Sequence, residues 1–341
     1  MNLEDARYNQ FGLVRDMMST SEIIRGFDPN QAALAEIGAA VAEVGRLFMT
    51  GEGSSRIFPA KSAMQWARQQ GLSVELYTEG GRQAREYDLS QWAVFALSNS
   101  GRTAEVIQLF DRLAKAGLSH LYSLTAFEDT ELEKRATRGC VLTCGKENAV
   151  AATKSVIEQA LFYLALLEHA SNNVSLDQHL AQLANDFQSA LTVSIDPSLI
   201  EKIANAGIIY WAGRNDGVAE ELTLKTNEIT RKPADFLEGT YAVHGVEEVM
   251  NADDVVIWVD PYPESESKFH EVLVEGVGLT VIAISTRATQ FSTIQIPDAC
   301  SLQPFVSMAA GWNIMVDVGV SLNINLDKPE RARKVGNEFN G

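Results

Sequence analysis

The chain has 341 residues, and its 45 acidic against 28 basic residues give a formal net charge of −17 at pH 7. This length suffices for two compact domains or one large α/β domain. The acidic balance argues against an extended surface for nucleic acid or anionic membranes, because such surfaces need a basic patch. The densest basic run, residues 331–334, is short and has acidic Glu330 and Glu338 nearby. We therefore expect no nucleic-acid partner and no membrane partner.

Cysteine usage and the N-terminus predict the compartment. Cys140, Cys144 and Cys300 match neither a disulfide framework nor a zinc site. The first ten residues carry acid early and lack the basic flank and apolar core of a secretory signal. The most apolar helical stretch, 156–170, is interrupted by glutamates and is too short to cross a bilayer. These features predict a cytoplasmic protein, and no motif calls for a metal or another cofactor.

The first half of the chain alternates helical and strand-like segments. An opening helical region ends near Asp28 and Pro29, and a periodic helix over 31–46 leads into the apolar run 47–50. Further strands are predicted at 74–77, 92–97, 120–126 and 140–143, and further helices at 60–70, 103–117 and 129–136. This alternation is typical of βαβ units around a parallel sheet.

Two long helical patterns, 149–170 and 175–194, separate this half from a second one that repeats the plan. Strands are predicted at 207–213, 254–260, 279–285 and 293–297, and helices at 218–230, 266–278 and 304–324. Because the two halves share one order of elements, we predict a tandem duplication of one α/β module. Each module is expected to be a mostly parallel sheet between helices, a three-layer αβα arrangement.

Two loops of the first half combine glycine with hydroxyl-bearing residues just before a helix: GEGSS at 51–55 and SNSGRT at 98–103. In open parallel sheets, ligands bind outside the carboxyl ends of the strands. Glycine there lets backbone N–H groups approach an anion, and hydroxyls add donors. The same residues are ordinary turn and cap residues, but two such loops in one βαβ array predict a phosphate site. Neither loop is a Walker A or GxGxxG motif, which argues against nucleotide binding through those motifs.

These loops, together with GKENAVAATKS at 145–155, resemble the sugar isomerase (SIS) domain family. The resemblance is to the isomerase half of glucosamine-6-phosphate synthase and to stand-alone phosphosugar isomerases, deglycases and deaminases. The second half resembles it in AGRND, LTLKTNEIT, AVHGVEEV and the tail LDKPERARKV, so that it covers about residues 35–338. It implies two tandem SIS-type modules. The expected divisions are an N-terminal helical segment (1–34), a first SIS domain (35–173), a second with its preceding bridging helix (174–322) and a tail (323–341).

The resemblance implies which residues hold the substrate. The sugar phosphate is expected at Ser54, Ser55, Ser98, Asn99, Ser100 and Thr103. Val150 matches a position whose backbone lines the sugar. Glu52 stands where the synthase has cysteine, and its charge is expected near the phosphate or against a substrate ammonium.

The resemblance also implies the catalytic groups. Glu228 matches the general base that moves a proton between C1 and C2 of the open-chain sugar, a task that suits a carboxylate. His244 matches the histidine that assists ring opening and is donated across a dimer interface. Lys334 matches the tail lysine that forms a Schiff base, which requires a neutral amine. Lys225, one helical turn before Glu228, is expected to hold an oxyanion or tune the base.

We therefore expect an enzyme acting on an amino- or aminoacyl-sugar 6-phosphate, as a deglycase, a deaminase or an aldose–ketose isomerase. The shared histidine implies a homodimer or a higher homo-oligomer. The chain starts about where the isomerase half of the synthase does, so we expect no glutaminase domain. The alternative is a non-catalytic sugar-phosphate-binding regulator, a class that usually lacks the base and the tail lysine.

Overall fold

Ten short, largely apolar runs form two parallel five-stranded sheets within residues 1–339, which the computed structural model describes. The first sheet contains β1 (Arg46–Gly51), β2 (Glu75–Gly80), β3 (Ala93–Leu97), β4 (Leu121–Thr125) and β5 (Arg138–Val141). The second contains β6 (Ile209–Gly213), β7 (Ala234–Glu238), β8 (Val255–Val259), β9 (Thr280–Ser285) and β10 (Ser292–Gln295). The strand orders are β2-β1-β3-β4-β5 and β7-β6-β8-β9-β10. The two sheets thus share one topology, which confirms the predicted pair of α/β modules.

The α-helices precede, connect and follow the strands. They are α1 (Ala6–Asn9), α2 (Gly12–Arg25), α3 (Gln31–Val44), α4 (Ile57–Gln69), α5 (Gly81–Ala84), α6 (Ala104–Lys115), α7 (Lys154–Ser171), α8 (Leu180–Leu191), α9 (Pro197–Asn205), α10 (Val218–Thr230), α11 (Glu266–Phe269) and α12 (Gln303–Ser321). The chain continues from α11 as a π-helical segment, His270–Val277. None of the described helices is long and apolar enough to cross a membrane.

Helices cover both faces of the first sheet, because alternate residues of a strand point to opposite sides. Val94 of β3 belongs to a buried cluster with Phe110 of α6. Its neighbour Phe95 meets α7 on the other face, with ring centroids 5.6 Å from Phe162 and 5.4 Å from Tyr163. All five residues of β3 are therefore buried.

The second sheet is covered in the same way. The indole of Trp258 in β8 stacks on Phe269 of α11 at 3.6 Å between ring centroids. Trp211 of β6 points to the other face, where its Nε1–H donates to Thr226 Oγ1 of α10 at 2.7 Å. A Cβ on Gly311 of α12 would lie 2.4 Å from Leu222 of α10, so glycine permits the close approach of these helices.

Two of the predicted helices and one strand illustrate where the structure departs from the prediction. Residues 129–136 do not form an α-helix: Asp129 has φ 56°, Thr130 Oγ1 accepts the Glu133 N–H, and only the 3₁₀ turn Glu133–Arg135 follows. The helix predicted over 149–170 begins only at Lys154. β7 was not predicted, because it is an edge strand of mixed polarity.

The chain divides into two compact units, each built from more than one segment. The first-sheet unit comprises Glu22–Glu147, Ala152–Ala181 and 332–339. The second-sheet unit comprises Met1–Ser21, Asn148–Ala151 and Gln182–Arg331. The divisions predicted from the sequence, in which each domain is one continuous segment, stay a prediction.

Candidate functional site

The two hydroxyl-rich loops follow adjacent strands of the first sheet. β1 pairs in parallel with both β2 and β3, so the strand order reverses between β1 and β3. In doubly wound sheets of this order, ligands bind at that switch point. The loop after β1 contains Ser54 and Ser55, and the loop after β3 is residues 98–103. The topology thus gives both loops the position that a ligand site requires.

The 98–103 loop is organised by its own hydroxyls. Ser98 Oγ lies 2.9 Å from Thr103 Oγ1 and accepts the Gly101 N–H at 3.1 Å. Ser100 Oγ accepts the Arg102 N–H at 3.1 Å. Thr103 is the N-cap residue of α6. These hydroxyls therefore surround the positive end of a helix, where an anion is favoured.

Gly101 is required by the shape of this loop. Its φ is +63°, and an added Cβ would lie 2.3 Å from the Cβ of Thr130. Both the left-handed backbone and the close approach of Thr130 exclude a larger side chain.

The loop after β1 forms a 3₁₀ turn, Gly53–Ser55, that leads into α4. Gln159 Nε2 of α7 donates to Ser55 Oγ at 3.4 Å. A Cβ on Gly51 would lie 2.7 Å from the Ser55 carbonyl oxygen. Glycine at the end of β1 therefore lets this turn fold back tightly against the strand.

Glu52 uses its carboxylate within the protein. Its Oε1 accepts the Gly81 N–H at 2.8 Å, at the start of α5. Burial, followed by the nearby charge of Glu105, raises the pKa of Glu52. In this structure the side chain thus supports the end of β2.

The C-terminal tail, residues 332–339, docks on the 98–103 loop. Glu338 forms an antiparallel bridge with Thr103, and the Phe339 N–H donates to the Arg102 carbonyl oxygen at 2.9 Å. The Ala104 N–H, the first of α6, donates to the Asn337 carbonyl oxygen at 3.1 Å. The tail therefore supplies the acceptor that a helix N-terminus needs.

Tail docking brings Lys334 into the first-sheet unit. Its Nζ lies 2.7 Å from Glu147 Oε2, and its side chain remains 37% exposed. An ammonium that donates to a carboxylate has no lone pair for attack on a carbonyl. The lysine is thus in place as a cation, and Schiff-base chemistry requires it to lose a proton.

A cavity of about 790 Å³ lies between the tail and the loop after β4. Its lining includes Ser100 and Lys334 from the predicted site, together with Arg102, Phe127 and Phe339. Phe127 is half exposed. The sequence did not single out this loop, because its residues form no recognisable binding motif.

Glu147 contacts the predicted site residues Asn99 and Lys334 but was not itself singled out from the sequence. Its side chain is 1% exposed, and it accepts from residues at the start of α7 as well as from Lys334. The available signal was an acidic residue shortly before a predicted helix, which is a common helix-capping arrangement. Its pairing with a residue 187 positions away leaves no trace in local sequence.

The predicted base belongs to the second-sheet unit. On α10, Lys225 Nζ lies 2.6 Å from Glu228 Oε2 and 3.5 Å from Glu221 Oε1. Lys225 and Glu221 are 1% exposed, whereas Glu228 is 31% exposed. The buried ammonium compensates the charges of two carboxylates, and Glu228 is the one that solvent or a ligand can reach.

His244 lies on the surface of the same unit. It follows the 3₁₀ turn Tyr241–Val243 and precedes Gly245, whose φ is +104°. Tyr241 nearby is 58% exposed and Val249 is 68% exposed. The histidine is therefore presented on an exposed loop that carries two large apolar side chains.

Val150 also belongs to the second-sheet unit, and its N–H donates to the Asp327 carbonyl oxygen at 3.1 Å. The predicted site residues thus fall into two groups. The first-sheet unit contains Glu52, Ser54, Ser55, Ser98, Asn99, Ser100, Thr103 and Lys334; the second-sheet unit contains Val150, Lys225, Glu228 and His244. Among residues 1–339, no group of three or more His, Cys, Asp or Glu side chains is arranged to hold a metal ion.

Comparison with known proteins gives a family match and a fold. The SIS domain family matches residues 40–169. No curated protein matches the chain significantly. The family match covers both hydroxyl-rich loops, Glu147 and most of α7.

Several solved structures share the fold. Tagatose-6-phosphate ketose/aldose isomerase from Escherichia coli superposes with a TM-score of 0.80 at 18% identity, over 95% of this chain and 97% of that one. The C-terminal domain of glucosamine-fructose-6-phosphate aminotransferase from Francisella tularensis gives 0.76 at 16%, over 94% and 98%. Glucosamine-6-phosphate deaminase from Thermotoga maritima gives 0.72 at 17%, over 95% and 99%. At these identities the likeness establishes the fold.

Proposed function

Because residues 40–169 match the SIS domain family, we propose that the chain is a phosphosugar-processing enzyme. Its substrate is an amino- or aminoacyl-sugar 6-phosphate, and its reaction is deglycation, deamination or aldose–ketose isomerisation. The observation that carries the proposal is the pair of hydroxyl-rich loops at the switch point of the first sheet.

The loops supply the phosphate end of the site. Hydroxyls of Ser98, Ser100 and Thr103 surround the N-terminus of α6, and Ser54, Ser55 and Asn99 add further polar groups. A sugar phosphate placed there exchanges the hydrogen bonds within the loop for bonds to its oxygens. Helix dipole and donors both favour its negative charge.

Glu228 supplies the base. It abstracts the proton from the carbon beside the open-chain carbonyl or imine and returns it to the neighbouring carbon through an enediol or enamine intermediate. Lys225, at 2.6 Å, holds the carboxylate and compensates its charge. All three candidate reactions share this step, so the pair serves each of them.

His244 and Lys334 complete the proposed machinery. We assign ring opening to His244 of a second copy of the chain, and its exposure beside Tyr241 and Val249 fits a surface that another subunit covers. Lys334 forms the Schiff base with the open-chain carbonyl after losing a proton. The protein then acts as a homodimer or a higher homo-oligomer.

The proposal covers three reactions, which the substrate panel below distinguishes. The relatives with this fold include a ketose/aldose isomerase and an amino-sugar deaminase. The Glu52 carboxylate is bonded to the Gly81 N–H, so it adds no argument for an amine-bearing substrate.

The experiment is a panel of glucosamine, fructosamine, fructose and tagatose 6-phosphates, each tested by thermal shift and by turnover. A ligand at 100 times its dissociation constant stabilises the fold by about 2.7 kcal/mol. We expect Glu228→Gln to lower turnover by about 10²–10⁴-fold and to leave the thermal shift intact, because only proton transfer is lost. Exposed Glu201 of α9 gives the control, since Glu201→Gln should turn over normally. Unimpaired turnover in Glu228→Gln contradicts the assignment of the base.

Binding without any turnover in the wild-type protein would instead support the non-catalytic regulator. A panel in which no phosphosugar shifts the melting temperature would contradict both functions.

A further inference from the structure

Three separate segments of the first-sheet unit meet at the carboxylate of Glu147. Its Oε1 accepts from the start of α7: the Thr153 N–H at 2.6 Å, the Ser155 N–H at 3.3 Å and the Ser155 hydroxyl at 3.1 Å. Its Oε2 accepts from Lys334 Nζ at 2.7 Å and from Asn99 Nδ2 at 3.4 Å. One oxygen thus faces the helix, and the other faces the tail and the 98–103 loop.

The bonds to Oε1 have an ordinary structural purpose. A buried carboxylate is costly unless donors surround it, and the N-terminus of a helix supplies such donors. Capping α7 would require only this one oxygen. The second oxygen therefore serves something else, namely to connect the tail lysine with the loop that carries Ser98, Ser100 and Thr103.

We propose that Glu147 is a positioning residue, which acts as the counter-ion of Lys334 and fixes the tail lysine beside the 98–103 loop. The inference rests on the proposed function, in which that loop holds the phosphate and Lys334 meets the carbonyl. Through Asn99, the same carboxylate connects the position of the lysine to the conformation of the loop.

The charge balance of the lysine chemistry fits a permanent counter-ion. When the lysine condenses with a carbonyl, a double bond forms between Nζ and the carbonyl carbon as the carbon–oxygen double bond breaks. The oxygen leaves as water with two of the three ammonium protons, and the iminium keeps the third proton and the single positive charge. The carboxylate that pairs with the ammonium can therefore pair with the iminium as well.

The test compares two buried glutamates of the first-sheet unit, each of which accepts hydrogen bonds from backbone N–H groups at the start of a helical segment. Glu147→Gln removes the charge that faces Lys334. Glu168→Gln is the matched control, because Glu168 is 2% exposed and accepts the N–H groups of Ser175 and Leu176 and the Ser175 hydroxyl. Both changes weaken a buried cap, and only the first removes the counter-ion of the tail.

The first measurement needs no substrate: trypsin cleavage of the bond after Lys334, followed by mass spectrometry. A lysine held by a carboxylate cannot enter the specificity pocket of the protease, so cleavage reports release of the tail. We expect about tenfold faster cleavage in Glu147→Gln than in wild type or Glu168→Gln, as for a lost charged hydrogen bond. Equal rates in the two variants would overturn the proposal.

The second measurement is borohydride trapping with fructose 6-phosphate. We expect the adduct at Lys334 to fall about tenfold in Glu147→Gln, to recover in part in Glu147→Asp and to be unchanged in Glu168→Gln. Unchanged trapping in Glu147→Gln would overturn the proposal. If the wild type forms no adduct, the Schiff-base role of Lys334 fails, while cleavage after Lys334 still decides whether Glu147 positions it.

If Glu147→Gln does not fold, Lys334→Gln breaks the same ion pair from the exposed tail. Hydrogen exchange at the Ala104 N–H, which donates to the Asn337 carbonyl, then reports tail release. Exchange about tenfold faster than in wild type supports the proposal, and unchanged exchange contradicts it.

Discussion

The two sheets have the same strand order, but the loops at their switch points differ in chemistry. The first sheet carries small hydroxyl and amide side chains in the 98–103 loop. In the second sheet, the switch point lies between β6 and β8, which follows from their pairing. There Arg214 of the loop after β6 forms an ion pair with Asp260 of the loop after β8 at 2.6 Å and lies over the Tyr262 ring at 4.3 Å from its centroid. The first switch point therefore presents hydroxyl and amide groups, whereas at the second a cation, a carboxylate and an aromatic ring contact one another. A shared topology gives two equivalent positions for a ligand, and loop residues decide which of them can bind one.

We expect the largest effect from a substitution that disrupts the 98–103 loop of the first sheet. Gly101→Ala places a methyl group against Thr130 at a left-handed φ. We expect the free energy of unfolding to fall by about 2–4 kcal/mol, because strain and overlap add, and phosphosugar binding to be lost. Urea unfolding and a thermal-shift titration measure the two effects.

Gly239→Ala in the second-sheet unit is the control for Gly101→Ala. Its φ is +62°, and no atom lies within 4 Å of the added Cβ. Only backbone strain remains, so we expect a loss of about 1 kcal/mol and normal binding. An equal loss in both variants would show that the contact with Thr130 is unimportant.

A second prediction concerns the buried carboxylate that caps α10 in the second switch-point loop. Asp216 Oδ1 accepts the Val218 N–H at 2.9 Å. Burial raises the pKa of Asp216 to about 6, from 3.8 for an unperturbed aspartate. The folded state thus binds the proton more tightly than the unfolded state. The contribution of Asp216 to the free energy of unfolding is therefore fully present below pH 3.8 and is lost as the pH rises through 6.

Asp216→Asn keeps an acceptor for the Val218 N–H and removes the charge. We expect the variant to exceed wild type by about 3 kcal/mol in unfolding free energy at pH 8, with the advantage nearly gone at pH 4. Urea unfolding at the two pH values checks this. The same difference at both would contradict a raised pKa.

The smallest expected effect concerns the ion pair at the second switch point and tests whether that position contacts the substrate. Arg214→Met removes the ion pair with Asp260, and the Arg214 side chain is 28% exposed. We expect a loss of about 1 kcal/mol in unfolding free energy, as for a partly exposed pair, and unchanged phosphosugar affinity. Thermal unfolding with and without ligand measures both. A marked loss of affinity would mean that the second switch point also contacts the substrate.

Much of the fold could be predicted from periodicity alone. The buried runs that became β3, β6 and β8 are apolar throughout, and the pattern over 218–230 predicts the bounds of α10. β7 was not predicted because an edge strand buries only part of its surface and therefore lacks a continuous apolar run. The failed helix at 129–136 shows that good helix formers do not suffice where Asp129 takes a left-handed backbone.

Only part of the candidate site could be predicted from the sequence. The hydroxyl loops could be predicted because glycine and hydroxyl residues cluster where strands end, and Lys225 could be placed beside Glu228 from helical spacing. Glu147 could not, because its role depends on a tail that folds back from the end of the chain. Contacts between distant segments are set by the fold and leave no local pattern.

The central claim is that the first switch point holds the phosphate of a sugar phosphate, and a calorimetric titration tests it most directly. The titration compares fructose 6-phosphate with fructose in wild type and in Ser98→Ala/Thr103→Val, which removes the two hydroxyls that lie 2.9 Å apart. We predict that wild type binds the phosphorylated sugar at least about 100-fold more tightly, and that the double variant loses most of this preference, since each charged hydrogen bond contributes about 1.5–3 kcal/mol. Equal affinity for both sugars in wild type, or an undiminished preference in the double variant, would contradict the claim.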